Sequence, residues 1–399
     1  MLQQHIDSWV LAGDASSETA SVVPAGVYFI SRPLLLGYLP DTAGNVSRCQ
    51  ERERAQGTRA LIGAGAESVI IVATDPTMDM VRIDGCYNHG QQAANNHTFT
   101  SRLHIAGITL AGGAVGIHLS QWTAHPQVTE SFVSHVHFRN LSRYGIWVDD
   151  IYGLDNNLFS FLRFDHCATA FFQHAPDSQR VSPGGRCKQA WNNPDLGYMD
   201  KVVFYRCDVS NCDTGWRLEP CRADNGNFWI ANTVTNVSGS GWIMSNNGGD
   251  GIVSSLVTNV GYAVGDQHGV SSGLSIINSR FVTGVNTRFL LPRDAKVEGS
   301  TFDLGSAAGT GGTLFPDEPQ SHPYPAPSIS MSHSIVGKGL SVGNTTLRAS
   351  VFFNNRFADP LDAHLNVMGL AVNGTATVVL SAAPSDEAPR SALCAGPQW

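Results

Sequence analysis

The chain has 399 residues, enough for one large domain or two to three ordinary ones. Charged residues make up only 15% against 42% hydrophobic, with 41 glycines, which excludes disorder over most of the length. The formal net charge is −8, and the four lysines (Lys188, Lys201, Lys296, Lys338) form no basic run, so nucleic acid is not expected as a partner.

At the start, Leu2, Ile6, Trp9 and Val10 fall on one helical face, and their spacing predicts a short helix. That opening has neither a basic n-region nor an apolar h-region. The expectation is therefore a cytoplasmic chain, or the mature form of a secreted or virion-associated one. No stretch of about 18 apolar residues occurs, so no membrane-spanning helix is expected. Beyond the first helix the chain reads as short strands of period two, broken by Gly, Asn and Asp.

These strands repeat. Segments with a small residue before an apolar one begin at Gly116, Gly145, Ala170, Gly215, Gly241 and Gly261, and the segment at Arg288 continues the series. Their spacing is about 20–30 residues, with one interval of about 45. Strands upstream of each recur at the same period, as a solenoid requires and a sandwich does not. The expected fold is all-β, a right-handed parallel β-helix with an N-terminal capping helix. It spans 1–304, with a loop insertion at about 176–198 accounting for the long interval. Residues 305–328 read as a Gly/Pro-rich linker or long loop, 329–381 as final coils or a small β cap, and 382–399 as a flexible tail.

The N-terminal residues Gln4, Ile6, Asp7, Pro24, Ala25, Gly26, Tyr28, Leu61, Gly63 and Gly65 resemble the entry of the pectate-lyase-like β-helix proteins. The motif match covers about residues 1–75, and the rest of the chain matches only by coil pattern. The family's usual Gly-Asp-Gly…Asp-Asp-Thr opening is missing. The resemblance implies a parallel β-helix, often trimeric, that acts on or binds polysaccharides, and it does not choose a reaction.

Within each repeat, alternation predicts inward residues one and three places after the small one, and outward residues two and four places after it. The first outward column holds His118, Trp147, Phe172, Arg217, Ile243, Ala263 and Leu290. The second brings Asp149, His174 and Glu219 together on successive coils. Carboxylates for proton transfer, aromatics for a sugar face and a guanidinium for hydroxyl or carboxylate groups make this ladder the candidate site. Asp149, Glu219 and His174 are the candidate catalytic residues. Trp147, Phe172, Arg217, Arg222, Asp150, Lys188, Trp191, Asp266 and His268 are the candidate substrate contacts, with Arg186 brought by the insertion. The competing reading is a solvated polar face, or a subunit interface built on the exposed aromatics.

A second group, which includes Arg222, Asp224, Asn246, Asn247, Asp250, Asp266 and His268, lies just past the strand ends, where turn chemistry also favours Asn and Asp. His135 and His137 read as sharing an outward face, yet a lone HxH lacks a third ligand. No metal or other cofactor is expected. The eight cysteines fit no zinc motif and read mostly as buried apolar residues, with Cys187 and Cys221 the pair to test for a disulfide.

Three functions fit. The first is a glycoside hydrolase using the Asp149/Glu219 pair tuned by His174. The second is a polysaccharide lyase or uronate epimerase with His174 or Lys188 as base and Arg217 neutralising the uronate; the scarcity of lysine argues mildly against it. The third is a non-catalytic carbohydrate-binding spike or structural trimer. Expected partners are a poly- or oligosaccharide and further copies of the chain. The apolar column Ile243, Ala263, Leu290 is the expected contact of a homo-oligomer, most simply a trimer.

Overall fold

The computed structural model describes residues 22–36, 59–84, 98–101, 103–120, 126–149, 153–174, 198–219, 224–244, 247–265, 273–282, 295–303, 312–313, 329–336, 340–341, 351–357, 361–363, 371–374 and 378–380. Among them every strand pairing is parallel, and one sheet links 26 strands. That excludes a sandwich, whose hairpins are antiparallel. Each strand pairs with its counterparts one coil before and one coil after: Phe132, Leu158, Val203, Phe228 and Gly251 are successive register partners. The fold is a parallel β-helix. The capping-helix residues, most of 305–328 and all of 382–399 lie outside the described residues.

Each coil turns its corners on single residues with left-handed backbone. His135, Phe161, Arg206, Ala231, Ser254 and Asn278 form one such column, and Asn140, His166, Asn211, Asn236 and Asn259 form another. Asparagine is the commonest choice at the second corner because its short polar side chain tolerates that conformation. The corner residue also interrupts the period of two. His135 and His137 therefore do not share an outward face, a correction to the sequence reading. His135 is the exposed corner residue, and His137 stands buried beyond it. Burial and the cations Arg163 and Arg139 push the His137 imidazole below its usual range.

The interior is filled by the inward column. Ile117, Ile146, Phe171, Trp216, Trp242 and Val264 are register partners and fully buried. Trp216 stacks on Trp242 at 5.0 Å and Phe204 on Trp229 at 5.5 Å, so like side chains fill successive layers. Buried corner amides are satisfied by side-chain ladders. The Val202 amide donates to Asn227 Oδ1, that of Cys207 to Asn232 Oδ1, and that of Ser255 to Ser279 Oγ.

Register also corrects one repeat. Because Trp242 pairs with Val264, the residue beside Gly241 is Ala263, not Gly261. The small-residue column is Gly116, Gly145, Ala170, Gly215, Gly241, Ala263. The sequence pattern picks out Gly261, two residues before the alanine that the register places in the column. A side chain at Gly145 would collide with the Phe164 ring and the Ala170 carbonyl. Gly145→Val is expected to lower the urea midpoint, at a cost of about 1–3 kcal/mol for overpacking; an unchanged midpoint would refute the crowding.

The first outward column is less exposed than alternation predicts. His118, Phe172 and Ile243 are buried, and Ala263 belongs to the small-residue column. Ile243 and Ala263 therefore cannot form the apolar contact expected of an oligomer, and Leu290 lies outside the described residues.

Candidate functional site

The strand Phe132–Asp149 runs between Val115–Ser120 and Arg163–His174, which in turn pairs with Thr214–Glu219. Asp149 is the register partner of Ser120 and His174, and His174 of Glu219. Three of the sequence-derived residues thus stand on one ladder in the expected order. Arg163–His174 and Thr214–Glu219 are direct neighbours, so Asp149 and Glu219 are two strand spacings apart, roughly 9.6 Å along the backbone.

Asp149 sits between two imidazoles. Its Oδ1 lies 4.0 Å from His174 Nδ1 and its Oδ2 lies 3.6 Å from His118 Nε2. His118 Nδ1 is 2.6 Å from Asp79 Oδ2. The contact reaches across adjacent coils, since Asp79–Asp84 lies one coil before Val115–Ser120, with Asp79 opposite Val115 and Arg82 opposite His118 in register. Burial pulls the His118 imidazole down, but the Asp149 and Asp79 carboxylates outweigh it and hold the group above the usual histidine range. The chain Asp79–His118–Asp149 links three coils by charge.

Aromatics and arginines flank these acids. His118 stacks on Trp147 at 4.2 Å with the rings 9° from parallel. Tyr144 lies 5.3 Å from Trp147 and 5.0 Å from Phe172, and Arg143 sits 4.9 Å above the rings of both Tyr144 and Trp147. Arg217 covers Phe172 at 5.0 Å. One face of Trp147 is thus taken by the imidazole, and Phe172 is buried under a guanidinium. Neither ring lies bare to solvent, whereas alternation alone predicted exposed aromatics.

Sequence reasoning missed Asp79, Arg143 and Tyr144, and gave His118 no role. The coil of Asp79–Asp84 escaped because Met80, not a small residue, stands beside Gly116. Tyr144 sits at an inward position by simple counting, but a register shift between Leu141 and Tyr144 sets it beside Trp147 and Phe172. Asp250, read as a turn residue, is fully buried. Asp150, Lys188, Trp191, Arg222, Asp266 and His268 lie outside the described residues, as do Arg186 and the Cys187/Cys221 pair.

No family model matches the chain, and a search of curated proteins finds no relative. Among solved structures the chain is similar to the Agl-KA catalytic domain, with TM-score 0.51 at 12% identity over 89% of this chain. The parallel β-helix is shared. This chain spans 65% of that domain's length. Other similar structures are the A-module of the Azotobacter vinelandii mannuronan C-5 epimerase AlgE4 (TM-score 0.43, 14% identity, 93% of this chain and 94% of that one) and the catalytic domain of a GH87 α-1,3-glucanase in complex with nigerose (TM-score 0.41, 12% identity, 93% and 63%). At these identities the likeness is one of fold alone.

Proposed function

We propose that the protein is a glycoside hydrolase acting on a poly- or oligosaccharide bound across the face that carries Asp149. The observation that carries this reading is the Asp149 carboxylate between His118 and His174, with Glu219 two strands further along the same ladder. A spacing near the 6.5–9.5 Å of inverting enzymes leaves room for a water between two carboxyl groups. In this reading one carboxylate takes a proton from the water as its oxygen attacks the anomeric carbon. The other carboxyl group protonates the departing glycosidic oxygen as its bond to that carbon breaks. His174 tunes the pair. Arg217 and the edge of Trp147 contact the sugar, with Phe172 supporting Arg217; Asp150, Lys188, Trp191, Arg222, Asp266 and His268 are further contacts in the same proposal.

The test is incubation with neutral and with uronic-acid polysaccharides. New reducing ends without an unsaturated product are expected. Ultraviolet absorbance of an unsaturated product marks instead a lyase, with His174 or Lys188 as base and Arg217 on the uronate. Altered uronate composition without cleavage marks an epimerase, and binding without turnover marks a carbohydrate-binding spike.

The proposed oligomer needs another surface. Phe132 (48% exposed) and Phe228 (37%) share an outward column with Leu158 and Val203, beside Ile230 and Val253 in the next. None of these side chains is charged, so two copies of a chain with net charge −8 can meet there without repulsion. Self-association is expected by light scattering at micromolar concentration, with loss in Phe132→Asp/Phe228→Asp. A monomeric wild-type mass removes the proposal.

A further inference from the structure

Among the described residues, His118 approaches the Asp149 carboxylate at 3.6 Å and His174 at 4.0 Å, so its direction calls for a fixed neighbouring group. The structure supplies a fixed group. His118 is buried, its ring is clamped face to face on Trp147 at 4.2 Å, and its Nδ1 is tied to Asp79 Oδ2 at 2.6 Å. With Nδ1–H donated to Asp79, the remaining ring nitrogen has one direction left. Nε2 is buried and 3.6 Å from Asp149 Oδ2, and it meets no hydrogen-bond partner at closer range. A buried ring nitrogen aimed at a carboxylate at this separation closes to a hydrogen bond with a small side-chain movement, and burial makes leaving it unpaired costly.

We infer that Asp79 and His118 are a positioning pair: Asp79 fixes the imidazole of His118, and the protonated imidazole donates through Nε2 to orient Asp149 for reaction. This deepens the hydrolase reading above and rests on it for its effect on turnover. It adds an assignment of its own. A carboxylate oriented by a donor at Nε2 is the one placed to take the proton of the attacking water, so Asp149 is the general base and Glu219 the general acid. The same geometry identifies the His118–Trp147 stack as part of the catalytic support, not as an open platform for a sugar ring.

The charged and titratable groups around His118 are few among the described residues. Asp79 comes from the preceding coil, where Arg82 is the register partner of His118. Asp149 comes from the following coil, where Arg143 lies over Trp147. His174, one coil further, reaches Asp149 at 4.0 Å. Two carboxylates in direct reach outnumber the one guanidinium standing beside the ring in register, which agrees with an imidazole held above its usual range.

The first test needs no substrate. The His118 imidazole is titrated by NMR in the wild type, Asp79→Asn and Asp149→Asn. Each substitution is expected to move the His118 midpoint downward, and a midpoint unchanged in Asp149→Asn overturns the pairing whatever the protein cleaves. The second test uses a glycan found to be cleaved. His118→Gln is expected to lower kcat about tenfold or more with KM within about twofold. Asp79→Asn is expected to lower kcat less and to move the alkaline limb of the kcat–pH profile to lower pH. Unchanged kcat and pH profile in both variants, with folding intact by circular dichroism, overturns the role in turnover. An absence of cleavage of any glycan fails the hydrolase reading alone, since the titration stands apart from it.

Discussion

Asp149→Asn and Glu219→Gln are each expected to lower turnover by on the order of a hundredfold or more on any glycan the protein cleaves. The size follows from what is lost. An amide neither takes a proton from water nor gives one to a leaving oxygen, so one half of the proton transfer disappears. Ground-state binding should change little, and the loss should fall in kcat with KM nearly unchanged. Stability is expected to move by less than about 1 kcal/mol in Asp149→Asn, because the side chain is 29% exposed and its ion pairs are long. Single-turnover kinetics on purified variants, with unfolding midpoints beside them, separate the two effects. Near wild-type turnover in both variants would reduce the ladder to a solvated face. The search would then pass to Asp266 and His268.

The coil architecture is legible in the sequence because a solenoid repeats its demands. The six coils from Gly116 to Ala263 each put a small residue where Gly145 meets Phe164 and Ala170, and apolar groups in the column where Trp216 stacks on Trp242. Those requirements recur at one period, and the inward column follows from alternation within a single strand. The ladder Asp149–His174–Glu219 is legible for the same reason, since it lies within three copies of one strand. Legibility ends at local irregularities. At the repeat near Gly261 the column is filled by Ala263, two residues on from the glycine that the pattern picks out, and the corner at His135 separates it from His137.

Exposure is less legible than direction. Alternation sets which side of a strand a residue takes, but not what stands over it. Trp147 and Phe172 carry the expected outward register yet are covered by His118 and Arg217, groups that belong to other coils. Asp79 acquires its significance only through His118, 39 residues away in sequence. A side-chain contact made by a single pair of coils leaves no periodic mark, so the hydrogen bond that anchors His118 beside the proposed base is the part of the site that sequence patterns do not carry.

Asp250→Asn is expected to stabilise the protein at alkaline pH, through the polar ladder that satisfies the buried corners. Asn227 accepts from the Val202 amide through Oδ1 and donates through Nδ2 to the Met199 carbonyl, and Asn157 does the same for Ser131 and Val128. Asp250 occupies the next rung. Its Oδ1 accepts from the Asn227 amide at 2.8 Å, while its Oδ2 is buried with no partner. Burial pushes the carboxyl group up to about 7, with the charge of Asp200 adding to the rise. An unfolded aspartate titrates near 3.9, so between these values the folded chain binds the extra proton. Stability is therefore full below about pH 4, falls as pH rises, and has lost this contribution once pH passes the folded value near 7. Asparagine has no charge to desolvate and carries the donor that the other rungs use. At about pH 4 the variant and the wild type should unfold at similar urea concentrations. At pH 8 the variant should be more stable by about 2–4 kcal/mol, the linkage of a shift of about three units. Histidine titration, including that of His118, is common to both proteins and cancels in the difference. A difference that stays constant across the range would show that Asp250 is ionised in the folded chain at both ends of it. A variant less stable at pH 8 would show that its ionised carboxylate holds a contact that asparagine does not replace.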